Sequence, residues 1–155
     1  MRVIVCCFLV LAAVSASAAS TDETLPSVVA SLHTARFITL PFLPPCMRVA
    51  LVQGDPRQGA SVELAKMRSG CVIPPLWHAA NTRLIFVSGY GVHQTKNGAP
   101  TQLRAGDYVY LPAHQVHSFR CISQCIVYNL QDGRDVVHWL DARGKEIRAK
   151  DAFPR

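Results

Sequence analysis

Turn-forming residues recur at short intervals along this chain, and that rhythm constrains its fold more than any other feature. Gly54-Asp55-Pro56, Gly70, Pro74-Pro75, Gly89, Asn97-Gly98, Gly106-Asp107, Pro112-Ala113-His114, Asp132-Gly133 and Arg143-Gly144 bound short segments rich in β-branched and aromatic residues. These segments are residues 47–53, 61–67, 82–88, 107–111, 125–130 and 136–140. Such spacing leaves room for strands and little room for helices, so the reading is an all-β sandwich or closed barrel. Residues 25–36 are the one stretch with a helical pattern, ahead of the core. At 155 residues, half of them apolar, the chain is the size of one domain. It lacks the long heptads or fixed repeats of a coiled coil or solenoid.

The first 20 positions contain one charge, Arg2, followed by an apolar run to Val14 and the small residues Ala16-Ser17-Ala18. That order reads as a signal peptide over residues 1–18, with the mature chain starting near Ala19 and destined for a secreted or periplasmic location. The run is shorter than the roughly 20 residues a membrane span requires, so no stable membrane insertion is expected. The remaining chain divides into an N-terminal segment, 19–45, a folded domain, 46–142, and a C-terminal tail, 143–155. The net charge is +6 and falls to +5 without Arg2. The basic residues are scattered except near the end, at Arg143, Lys145, Arg148, Lys150 and Arg155, where a solvated tail accounts for them. No dense basic face interleaved with aromatics is present, which excludes a nucleic-acid partner.

Four cysteines follow the signal segment: Cys46, Cys71, Cys121 and Cys125. An even number in an oxidising compartment points to two disulfides with three possible pairings. None of the four forms a CxxC pair with another. Cys121 and Cys125 flank Ile122-Ser123-Gln124, which reads as a hairpin loop. Opposed positions across such a loop lie near disulfide distance, so a Cys121–Cys125 bond is expected, with Cys46–Cys71 as the second pair.

Two blocks carry the chemical information. The first is Gly70-Cys-Val-Ile-Pro-Pro-Leu-Trp-His78, then four residues, then Arg83-Leu-Ile-Phe-Val-Ser-Gly89; the second is Gly106-Asp-Tyr-Val-Tyr-Leu-Pro112-Ala-His-Gln-Val-His117. Together they resemble the two motifs of the cupin superfamily, G-x5-H-x-H-x3,4-E-x6-G and G-x5-P-x-G-x2-H. Gly106, Pro112 and His117 fall in place in the second motif, with His114 where the family has glycine. The resemblance spans roughly residues 47–140. The Gln53-Gly-Asp-Pro-x-x-Gly59 segment is similar to one in a bacterial group of small single-domain cupins. The resemblance implies a jelly-roll β-barrel with little helix, in agreement with the turn spacing.

It also implies a divalent metal held by two His and a Glu from the first motif and one His from the second. Here those positions are Leu76, His78, Thr82 and His117, so two of the four ligands are missing. Leu76 and His78, two apart on a strand, both face the barrel interior. No Asp or Glu occurs from Leu64 to Gly106. Glu63 supplies a carboxylate only if its strand turns it inward, and His93 is the better candidate for a third ligand. His114 is expected to face solvent, His138 to sit in a late strand, and His33 falls outside the matched region. Two imidazoles and waters would hold zinc, nickel or copper weakly, while the two-His-one-carboxylate site of non-haem iron cannot be built.

The leading functional expectation is therefore an exported cupin with a degenerate metal site. It binds a small molecule in the barrel, with His78, His117, Thr82 and Arg83 as polar contacts and Leu76 on the wall. The alternative is an isomerase, lyase or dioxygenase in which His78 and His117 retain a metal or act as acid and base. A structural β protein with remnant histidines is the third reading. Residues 37–40 read as a strand that could exchange in a homodimer.

Overall fold

The computed structural model describes residues 27–153. The apolar N-terminal run and its cleavage site lie outside the described residues.

Among the described residues, eleven strands form two antiparallel sheets that face each other. β1 (Met47–Gly54), β2 (Ser61–Met67), β9 (Cys125–Gln131), β4 (Thr82–Ser88) and β7 (Tyr108–Leu111) lie side by side in that order. The second sheet runs β11 (Glu146–Ile147), β10 (Val137–Leu140), β3 (Val72–His78), β8 (His117–Cys121), β5 (Tyr90–Thr95), β6 (Thr101–Arg104). The chain crosses repeatedly from one sheet to the other, the topology of a jelly roll. All-β architecture is thus as the turn rhythm predicts.

Alternation along each strand fills the space between the sheets. On β2, Glu63, Ala65 and Met67 point inward, and on β4, Leu84 and Phe86 do. The inner faces meet in one core that includes Phe86, Phe119, Val127 and Trp139. Phe86 and Phe119, one from each sheet, pack edge to face at 5.4 Å between ring centres. The packing of β3 against β8 departs from simple alternation. Ile73 opposes Phe119 but Leu76 opposes His117, so three steps on β3 match two on β8. The extra residue falls at Pro74-Pro75, where neither ring can donate to the ladder and a bulge absorbs the mismatch. The bulge returns Leu76 and His78 to the inner face after Ile73.

One turn shows why glycine is needed at its position. Gly89 has φ 91°, and a Cβ there would stand 2.0 Å from the Gln124 carbonyl oxygen. At the turn between β7 and β8, His114 adopts the left-handed conformation at φ 65°. The family's glycine suits that backbone, and histidine tolerates it better than most residues.

Both termini of the described chain pack onto the barrel. Ile38 bridges Val49 on the same chain, and the Trp139 indole N–H donates to the Phe42 carbonyl at 3.2 Å. Residues 40–43 are thereby drawn across one end of the barrel. No helix forms in the described part of 25–36; a single turn around Ser31 to Thr34 is all that appears. A lone turn without an apolar face to bury is below the length at which helices hold. The one described helix, α1 (Ala149–Ala152), comes instead from the C-terminal end. Residues past 142, expected as a tail, continue the fold: β11 pairs with β10, and the ring of Phe153 meets Trp139 edge-on at 4.7 Å.

The cysteines pair differently from the hairpin reading. Cys46 and Cys71 are bonded, with 5.5 Å between their Cα atoms, while Cys121 and Cys125 are free and buried. The loop 122–124 is not a hairpin, because β8 and β9 belong to different sheets. Cys121 therefore lies beside Cys71, its amide donating to the Cys71 carbonyl, and Cys125 lies opposite Met67. Burial raises both free thiols above the usual range.

Candidate functional site

The space between the sheets contains a cavity of about 160 Å³. Its walls are chiefly apolar, among them Leu43, Ala65, Leu76, Phe86, Val127 and Trp139. A volume near this is known to hold a benzene-sized molecule when lined by apolar side chains. Arg57, Glu63, His78, His117, Asn129 and Asp135 also line it and supply its polar groups.

His78 ends β3, and its Nδ1 lies 3.0 Å from Asp135 Oδ1. Asp135 belongs to the loop between β9 and β10, fastened where its amide donates to the Pro56 carbonyl at 2.8 Å. The carboxylate accepts from Nδ1–H, and Nε2 is the nitrogen left free of that bond. His117 opens β8. Its Nδ1 donates to the Gln115 carbonyl at 3.0 Å, which likewise frees Nε2. The two rings are 5.5 Å apart between centres and nearly parallel. Burial holds the His117 pKa down at about 4, with the neighbouring His78 and His93 acting in the same direction against the Gln115 hydrogen bond. His117 is thus a neutral acceptor at physiological pH.

Glu63 does face inward. Burial, then the nearby Asp135 charge, raises its carboxyl to about 6, opposed by a hydrogen bond from Asn129 and by His78. Its strand alternation, undecided in sequence, is settled by pairing with β9, which aligns Glu63 with Asn129.

The other candidate residues are distributed around this centre. Leu76 sits directly opposite His117 and is a wall residue. His93 is buried with its ring 5.7 Å from His117, but it does not line the cavity, and its Nε2 has no partner. Thr82 is fully buried, yet its hydroxyl is committed to Gln131 Oε1 at 2.7 Å and does not reach the cavity. Arg83 is a correction to the expected pocket set. Alternation on β4 places it outward, where it pairs with Asp132 and lies 5.5 Å from the Tyr110 ring. His114 is exposed, as expected, against Trp77. His138 is in β10, stacked outside the barrel on Trp77 at 3.6 Å.

Sequence reasoning passed over Asp135 and Asn129. Asp135 stands just after the turn residues Asp132-Gly133, and nothing local marks it as a site residue. Asn129 could have been found from its spacing, since it lies two residues from inward Val127.

Whether these residues fit a divalent metal of the family type depends on the donors. Leucine occupies one ligand position and a committed hydroxyl another, and no group of three or more His, Cys, Asp or Glu converges for a metal among the described residues. The donor set does not fit that metal.

A barrel of this topology, with both sequence blocks bordering its cavity, defines a class, and the comparisons agree. Residues 63–130 match the family model of the cupin domain, in line with the jelly-roll fold. No curated protein matches the chain in sequence. Among solved structures, KdgF from Halomonas sp. is similar with a TM-score of 0.57 and 19% identity, over 67% of this chain and 93% of that one. An RmlC-like cupin from Shewanella frigidimarina matches with a TM-score of 0.57 and 14% identity, over 66% of this chain and 87% of that one. Salicylate 1,2-dioxygenase from Pseudoaminobacter salicylatoxidans, solved with gentisate, matches at a TM-score of 0.51 and 20% identity, over 57% of this chain and 25% of that one. At these identities the likeness is one of fold.

Proposed function

We propose that this chain is an exported, metal-independent cupin that binds a small molecule within its barrel. The observation carrying the reading is the interior cavity itself. Its apolar walls can desolvate a small ligand body, and a few polar groups can orient it, the usual composition of a ligand site. Leucine at a position where the family has a ligand, and threonine locked to glutamine at another, make the site degenerate as a metal centre while leaving it intact as a pocket. Export rests on the N-terminal sequence, and N-terminal sequencing of the protein recovered outside the cytoplasm should give a start near Ala19; an intact Met1 there would remove that part.

Binding is tested by titrating the purified protein with benzyl alcohol and following the amide spectrum. Shifts should concentrate on Leu76, His117, Val127 and the Trp139 indole. An Ala65→Leu variant with a native spectrum should lose them, because its added carbons occupy the cavity. Shifts that survive the filling, or that map outside the barrel, would refute the reading.

The second reading, an acid–base enzyme, is favoured by one observation, the His78–Asp135 hydrogen bond with Glu63 on the same cavity. A fixed imidazole tautomer beside a carboxyl group of raised pKa is an arrangement used for proton transfer.

A further inference from the structure

Every cysteine and methionine among the described residues belongs to one packed cluster, at the end of the barrel away from His78 and His117. Strand register builds it. Met47 on β1 stands opposite Met67 on β2, and Met67 stands opposite Cys125 on β9, so three sulfur side chains form one row. Met67 lines the cavity, as does Val127 two residues beyond Cys125, so the row lies on the inner face. The facing sheet supplies Cys121, two residues from inward Phe119, and Cys71, two residues from inward Ile73. The Cys121 amide donates to the Cys71 carbonyl at 2.9 Å.

Cys46 and Cys71 are spent on their disulfide, which leaves two thiols in contact. The Cys121 thiol donates to the Cys125 sulfur. The Cys125 thiol meets only the Ser123 and Tyr90 carbonyls, at the long distances of 3.4 and 3.5 Å. The geometry points to a binding site for one soft monovalent metal ion, copper(I), held between Cys121 and Cys125 with the Met67 thioether as third donor.

The donor types decide which ion fits. Thiolate and thioether sulfurs select copper(I), whereas magnesium, calcium and manganese require oxygen. Structural zinc takes four nitrogen, oxygen or sulfur donors, and this cluster contains no histidine or carboxylate to add to its two thiols. On binding, each thiol releases its proton to solvent and forms one sulfur–copper bond, and copper and sulfur keep their oxidation states. The charge of the ion offsets one thiolate, and the Cys125 amide donates to the Cys121 sulfur. Ile122, Ser123 and Gln124 join the two cysteines and are all exposed, so opening of that one turn admits a bare ion. Four steps along β8 separate Cys121 from His117, about 13 Å. The site is therefore distinct from the histidine end of the cavity and does not rest on the binding reading above.

The test is an anaerobic titration of the protein, with its disulfide intact, using the acetonitrile complex of copper(I) in competition with a coloured bathocuproine chelator. The folded wild type should withdraw about one copper per chain and retain it in excess zinc. X-ray absorption at the copper edge should show sulfur neighbours alone. Cys121→Ser and Cys125→Ser should each weaken binding at least about 100-fold, beyond the loss expected for an outer-shell partner, and Met67→Leu about tenfold. Failure of the folded wild type to withdraw copper would overturn the proposal, as would displacement by zinc. Nitrogen or oxygen neighbours would move the ion to the histidines and overturn it equally. So would a product lighter by two hydrogens and free of copper, which would mean that the thiols had been oxidised to a disulfide. The wild-type stoichiometry and absorption spectrum decide the matter even if a variant fails to fold.

Discussion

Protonating His117 should be one of the main reasons this protein loses stability in mild acid. The ring is buried beside His78 and His93, and its pKa falls from 6.5 to about 4, chiefly through burial. A base depressed in this way leaves the fold unpenalised above 6.5. The unfolded chain takes up its proton first as pH falls, so stability is lost progressively between 6.5 and 4. At about 1.4 kcal/mol per pH unit, the loss through this one group reaches about 3 kcal/mol by pH 4. His93 is displaced in the same direction by its own burial and adds to the effect. Glu63 works oppositely. Its carboxyl, raised to about 6, favours the fold below 4.5, and that contribution is lost as pH rises through 6. Because Glu63 is partly exposed, screening reduces its share to about 1 kcal/mol.

A substitution separates these effects. In His117→Asn the amide can take over donation to the Gln115 carbonyl but cannot be protonated in this range. Urea unfolding of both proteins at pH 7.5 and pH 4 gives the double difference, in which Glu63 and His93 cancel. The wild type should lose about 3 kcal/mol more than the variant on acidification. A double difference under about 0.5 kcal/mol would show that His117 is not held neutral by burial, and the account of its environment would fail.

Other outcomes follow from the fold. His114→Gly should raise stability by about 1 kcal/mol in urea unfolding, because the backbone at φ 65° suits glycine and the lost contact with Trp77 is exposed. Gly89→Ala should cost at least about 2 kcal/mol in the same assay, as its Cβ would be forced against the Gln124 carbonyl. Replacing Cys46 and Cys71 by Ala removes a link closing 25 residues and should cost about 3.5 kcal/mol on the chain-entropy account. Non-reducing peptide mapping should find that link alone among the four, with Cys121 and Cys125 alkylated only after unfolding; because these two thiols interact with each other, a bond found between them would refute their free state while leaving the strands unchanged.

Much of this architecture was legible in the chain because strand formation here is a local matter. Turn residues at short intervals and β-branched segments between them determined an all-β fold, and Gly106, Pro112 and His117 determined which barrel it resembles. The same locality placed His78 and Leu76 on an inner face. What crosses between sheets was not legible. The Cys121–Cys125 hairpin was a reasonable local inference, but a three-residue loop can join strands of two sheets as readily as two neighbours, and only topology distinguishes them. Arg83 was misplaced for a related reason: a one-residue change of register exchanges the two faces of a strand, and pairing of β4 with β7 and β9 decides which face is inward. Glu63 was ambiguous until β9 aligned it with Asn129. Asp135 became a site residue only because its loop docks on Pro56 and meets His78 across 57 positions of sequence. The sequence determined the strands and the two histidines; the balance of acceptors, donors and charge around them is a property of the closed barrel, because burial and proximity exist only once the sheets have met.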